Sequence, residues 1–115
     1  MKIVDVQEFM ELPDGTLFAD HMGDEQFGGF FAKGETVVVD GRNVGYWYHD
    51  FIDPYAEDST DLFRKMHDMC VQKASYPLDP SETKVLPVNG DELFLIYEKA
   101  DLQIIRAAID KAPGN

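Results

Sequence analysis

Residues 27–53, FGGFFAKGETVVVDGRNVGYWYHDFID, constrain the fold more than any other stretch, because they read as two long strands joined by a tight turn. Thr36, Val37, Val38 and Val39 are the β-branched residues that suit a pleated, half-buried surface. Asp40-Gly41 supplies the positive φ angles of a two-residue hairpin turn. Beyond it, Val44, Tyr46 and Tyr48 alternate with Gly45, Trp47 and His49, so one set faces a core and the other faces away. The alternation alone leaves open which set is inside. Gly28-Gly29 and Gly34 interrupt the strand pattern and predict bends or bulges.

The remaining elements follow from caps and periodicity. Residues 2–4 form a short strand or an entry to the first helix. Asp5 and Glu8 have capping-box spacing, and Val6, Phe9 and Met10 follow at helical intervals, predicting a helix over 6–12 that stops at Pro13-Asp14-Gly15. Residues 16–21 predict a strand and residues 22–26 a polar loop. Ser59 is the expected cap of a helix over 60–73, whose stripe of Leu62, Phe63, Met66, Met69 and Cys70 predicts a face lying on the sheet. Pro87 restricts residues 83–88 to an edge strand, and Asn89-Gly90 reads as a second hairpin turn. Residues 93–97, LFLIY, predict a buried inner strand, and Asp101 is the expected cap of a final amphipathic helix ending near Lys111, with a broad, largely covered face. At 115 residues these elements make one α+β domain: an antiparallel sheet of four to six strands covered by two amphipathic helices, with a short N-terminal helix at one end.

Charge is the one compositional extreme, 22 acids against 10 bases for a net charge of −12. Between Asp5 and Phe63 there are fourteen acids against only Lys33 and Arg42, whereas the second half is nearly balanced. Such a field repels nucleic acid and anionic membranes and favours encounter with a basic protein surface. No apolar run approaches the roughly 18 residues of a membrane span and no signal-peptide core is evident, so a cytoplasmic location is expected. Cys70, the only cysteine, excludes an internal disulfide and is expected to pack in the core.

Three segments carry a resemblance: VQEFMELPDGTLFADH at the start, FAKGETV followed by an aromatic strand ending in DFID in the middle, and LFLIYEKADLQIIRAAI at the end. In this order they resemble small acidic proteins encoded by phages and prophages, in which a short helix meets a Leu-Pro-x-Gly-Thr turn and the chain closes with a strand, Ala-Asp and an amphipathic helix. The resemblance transfers no catalytic motif. It implies a phage accessory protein acting in the host cytoplasm, a class rich in inhibitors of host or defence proteins, some of them acidic mimics of nucleic acid.

Chemical motifs add little. His21, His49 and His67 fit no metal-binding spacing, and adjacent strand residues such as His49 and Asp50 point to opposite faces. Cys70 has no cationic partner nearby in sequence, no serine stands in a nucleophile elbow, and the glycines match no phosphate-binding loop. The chain is therefore read as a non-catalytic protein without cofactor or metal. Its expected partner-binding surface is the acidic set Asp20, Asp24, Glu25, Glu35, Asp40, Asp50, Asp53, Glu57 and Asp58 with the aromatic anchors Tyr46, Trp47 and Tyr48. The alternatives are a small metal-dependent enzyme using His49 with Asp53 or His21, and a homo-oligomeric structural or assembly protein, a homodimer in its simplest form.

Overall fold

The computed structural model describes residues 1–51, 54 and 56–114. Its elements are β1 (Lys2–Asp5), α1 (Val6–Met10), β2 (Leu17–Gly23), β3 (Gln26–Val39), β4 (Arg42–Asp50), α2 (Ser59–Val71), β5 (Glu82–Val85), β6 (Leu93–Ile96) and α3 (Lys99–Lys111). All strands join one antiparallel sheet in the order β1-β6-β2-β3-β4-β5, an α+β arrangement.

Turn chemistry acts where the residues require it. Asp40 and Gly41 both take positive φ, 51° and 74°, the primed turn whose twist matches its strands. The register of β3 against β4 slips between Lys33 and Thr36, so Gly34 and Glu35 together oppose Trp47. A second slip sets Phe18 opposite Phe31 but Asp20 opposite Gly28, at the position where Gly29 takes φ 81°. Bulges bend a strand and increase its twist. The expected loop at 22–26 is instead an extension of β2 and β3, closed by Asp24 at φ 50°.

The bent sheet curls around α1. Asp5 caps this helix, its carboxylate accepting the Glu8 N–H at 2.9 Å. Five residues are too few to hold a helix by themselves, so tertiary contact must do it. Phe9, 0 % exposed, supplies that contact: its ring stacks on Phe94 of β6 at 3.8 Å and meets Phe18 of β2 and Tyr46 of β4 edge-on at 4.8 and 4.9 Å. In a flat sheet β6 and β4 would lie three spacings apart, roughly 14 Å. Their rings Phe94 and Tyr46 are 5.8 Å apart, so the sheet is concave on this side. Val4, Met10 and Ile96 complete the core.

Lys33, only 1 % exposed, enters the same face. Its Nζ donates to the Gly34 carbonyl at 3.1 Å and to Thr36 Oγ1 at 2.9 Å, and Thr36 in turn donates to the Met10 carbonyl at 2.9 Å. The end of α1 is thereby tied to β3. Loss of hydration holds the Lys33 ammonium below its usual pKa, partly opposed by Asp14.

Several expectations are corrected. α2 and α3 contain no buried residue, so neither seals the sheet: Phe63 is 73 % and Ile104 is 72 % exposed. Cys70 is exposed on α2 rather than packed in the core. Asp58, not Ser59, caps α2, accepting the Asp61 N–H at 2.8 Å. Glu98, not Asp101, is the N-cap of α3, and Asp101 reaches back to the Glu98 N–H at 2.8 Å. Asp58 prevails over Ser59 because a carboxylate accepts a charge-assisted bond and favours the positive helix end, and at α3 the two acids share the cap. Asn89-Gly90 makes a turn but no hairpin, since β5 pairs with β4 at the edge while β6 lies between β1 and β2. Edge strand β5 carries Glu82 and Lys84, and Pro87 follows it, as an unpaired edge requires.

This architecture predicts a sharp contrast between two phenylalanines. Phe9→Ala should cost about 3 to 5 kcal/mol in urea unfolding, whereas Phe63→Ala should change stability by less than about 0.5 kcal/mol.

Candidate functional site

The concave face extends past α1 as an open aromatic surface. Residues paired across the strands share a face: Phe18 with Phe31, Phe31 with Asp50, Tyr46 with Val85, and Tyr48 with Thr83. Between these strands lies a pocket of about 110 Å³ walled by Phe18, Phe31, Tyr46, Tyr48 and Val85, with Asp20 and Glu92 at its edge. Its rings stand at large mutual angles, Phe31 to Tyr48 at 88° and 5.4 Å, Tyr46 to Tyr48 at 48° and 6.2 Å.

Two carboxyl groups meet there. Asp20 is paired with Phe94 in the β2–β6 ladder, and Glu92 lies two residues before Phe94, so both project from the same side. Glu92 is held by the turn that begins at Asn89, its N–H donating to the Asn89 carbonyl at 3.1 Å. Burial against the aromatic wall pushes the Glu92 carboxyl up to about 7, helped by a hydrogen bond with Asp20 and by the Asp20 charge, and opposed by His21. Near neutrality Glu92 therefore keeps its proton in part of the molecules.

Tyr46 is 3 % exposed and its phenol is held well above the usual range by burial, then by Glu92 and Asp20. Among the described residues its hydroxyl has no hydrogen-bond partner, yet no buried side-chain oxygen is both sealed and unpaired, so that atom opens on the pocket.

A second, larger pocket of about 230 Å³ adjoins the first along β4 and β5. Asp50, Asp58 and Asp79 line it with Pro54, Leu62 and Thr83. The face thus carries two carboxylate groupings, one within aromatic walls and one beside the start of α2.

Folding gathers only part of the expected surface. Asp20, Tyr46, Tyr48, Asp50 and Asp58 come onto the concave face. Asp24 and Glu25 form the β2–β3 tip, while Asp40 forms the β3–β4 tip at the far end of a 14-residue strand, roughly 40 Å away. Glu35 projects from the β3 bulge and Glu57 lies exposed before α2. Trp47 points to the opposite face, where Lys84 Nζ lies 5.5 Å from its ring. Asp53 lies outside the described residues. Glu92, Asp79 and the wall residues Phe18, Phe31 and Val85 were absent from the expected set. The i, i+2 spacing of Phe18 and Asp20, which puts them on one face of β2, is the linear sign nearest to them.

The histidines serve local structure. His21 Nε2 hydrogen-bonds the Asp24 carbonyl, and the ring stacks on Phe27 at 5.0 Å. His49 Nδ1 hydrogen-bonds the Pro80 carbonyl at 2.7 Å, with Glu82 at 4.0 Å from its other nitrogen. Among the described residues no three His, Cys, Asp or Glu side chains are placed to hold a metal ion. Likewise none of the helices is long and apolar enough to cross a membrane. Comparison with protein-family models, curated proteins and solved structures finds no match to this chain.

Glu92 gives the protein a distinctive pH response. With its folded pKa raised from 4.5 to about 7, the native state holds the proton more tightly than the unfolded chain between those values. Its stabilising contribution is complete below about 4.5 and is lost as the pH rises through 7. The melting temperature of Glu92→Gln should accordingly vary less between pH 5 and pH 8 than that of the wild type, and the variant should be the more stable protein at pH 8.

Proposed function

We propose that this chain is a non-catalytic accessory protein that binds a basic protein surface, using the acidic and aromatic concave face of its sheet. The observation that carries the reading is the coincidence of Asp20, Glu92, Asp50, Asp58 and Asp79 with the half-buried rings of Phe31 and Tyr48 on one side of the molecule. Aromatic anchors bounded by charge are the usual composition of a protein interface, and net negative charge steers a basic partner toward it. The resemblance to phage and prophage accessory proteins supports the same reading, with a host or defence protein as target. A nucleic-acid mimic of the kind that class includes needs acids spaced along one surface, and here the mimicking set is confined to the concave face rather than spread over the first half of the chain.

The placement of the acids separates this face from general acidity. Binding of poly-L-lysine, followed by fluorescence anisotropy, should weaken steeply as salt rises from 50 to 500 mM. The double variant Asp20→Asn, Asp50→Asn should weaken it by about tenfold, as expected for the loss of two charge-assisted contacts. Asp24→Asn with Asp40→Asn, equal in charge removed but placed at the hairpin tips, should change it less than about twofold. Equal weakening by both pairs would leave only a diffuse acidic field.

A second reading, a homo-oligomer, is favoured by α3, where Ile104 and Ile109 are both exposed large apolar residues. If α3 faces join two copies, light scattering at 100 µM should report a dimer that Ile104→Glu returns to a monomer.

A further inference from the structure

The aromatic pocket has features that distinguish it from the other acids of the concave face. We propose that it is a receptor for a single alkylammonium group, the side-chain end of a lysine on the basic partner, with Tyr46, Tyr48 and Phe31 as its walls and Asp20 and Glu92 as its counter-charge. This rests on the reading of the face as a partner-binding surface and names the group that the face takes.

Size comes first. A volume of about 110 Å³ holds roughly three or four waters, or one small organic cation with the methylene next to it. Wall chemistry comes second. Rings set at 88° and 48° to one another present π faces and edges from several directions, and a cation among such faces is attracted most when it is desolvated. A neutral apolar guest would gain the rings but leave two carboxyl groups without a partner, and an anion would be repelled by them. The third feature is the Tyr46 hydroxyl, on a side chain 97 % buried by its 3 % exposure, unpartnered among the described residues and open on the pocket. Its oxygen is an acceptor awaiting a donor, and an ammonium brings three.

The fold already houses one ammonium in this way. On the same face Lys33 Nζ lies 5.9 Å from the centre of the Phe9 ring and donates to two oxygens. The aromatic pocket repeats that combination with carboxylates added. Thr83 and Asp50 of the second acidic pocket neighbour Tyr48, as its ladder partner and two residues along its strand, and this proximity favours a protein carrying several basic side chains over a free amine, which would use one pocket only.

The test is titration of the ¹³C-labelled aromatic rings by NMR with N-acetyl-lysine methylamide, its trimethyl-lysine form, N-acetyl-norleucine methylamide and tetralysine. The two cationic lysines should shift Phe31, Tyr46 and Tyr48 and bind at least about tenfold more tightly than the uncharged norleucine compound. Tetralysine should exceed the single lysine by a further tenfold or so through the neighbouring acids. Glu92, faced by Asp20 and His21 of β2 and by Tyr46 and Tyr48 of β4, must release its proton to pair with the guest, so lysine binding should strengthen from pH 6 to pH 8. Glu92→Gln removes that pH dependence, and Tyr46→Phe weakens binding without unfolding the core, as its unchanged amide spectrum will verify. Equal shifts with norleucine, or none with either lysine, overturn the pocket. Tetralysine no tighter than lysine overturns the protein side chain as its source. If poly-L-lysine still binds in a salt-dependent way while these rings stay unmoved, the pocket fails and the acidic face survives; if neither binds, both readings fail.

Discussion

The structure depends on one contact set, the ring of Phe9 held among Phe94, Phe18 and Tyr46. A helix of five residues cannot persist in water, and a sheet of six strands has no reason to curl without something to curl around. Each supplies what the other lacks. The bulges at Gly29 and Gly34 let the long strand β3 bend, and the bend brings β4 toward β6 so that three rings close over that of Phe9.

Closing the core in this way leaves part of the concave side uncovered. α1 is short, and neither long helix holds a buried residue, so the rings beyond Phe18 line a pocket instead of a helix face. Polar groups caught in that partly desolvated space respond by changing their proton affinity: the Glu92 carboxyl rises, and the Lys33 ammonium, better sealed, falls. Lys33 tolerates its position because two oxygens and an aromatic face surround it. Glu92 has Asp20 beside it and keeps its proton to higher pH instead.

The acidity of the chain has two physical roles that composition could not separate. At the hairpin tips, Asp24, Glu25 and Asp40 are exposed, and two of them occupy the left-handed conformation that aspartate tolerates better than most residues. Asp58, Asp61, Glu98 and Asp101 are drawn to helix starts, where Asp58 and Asp101 accept backbone bonds and Arg64 also pairs with Asp61 at 2.7 Å. The acids of the concave face are a smaller group.

The sequence by itself determined the local elements. Val and Thr at 36–39, the Asp-Gly turn, the glycine interruptions, the Asp5 cap and the apolar run at 93–97 act through backbone sterics and nearest-neighbour hydrogen bonds, which a linear reading contains. It also determined that β4 would have two unlike faces, though not which one is inside. Tertiary structure alone decided that Tyr46 and Tyr48 face inward and Trp47 outward, because strand parity is set by pairing with β3 and β5 rather than by the strand's own residues. It alone decided that helices with well-formed apolar stripes would leave them only partly covered, since amphipathicity states that a face can be buried and not that a partner surface exists. And it alone joined Asp20 to Glu92, 72 positions apart in the numbering, through the β2–β6 pairing. Charge is additive along a chain, but a site is a matter of distance, and only the curled sheet brought these carboxyls within reach of one another.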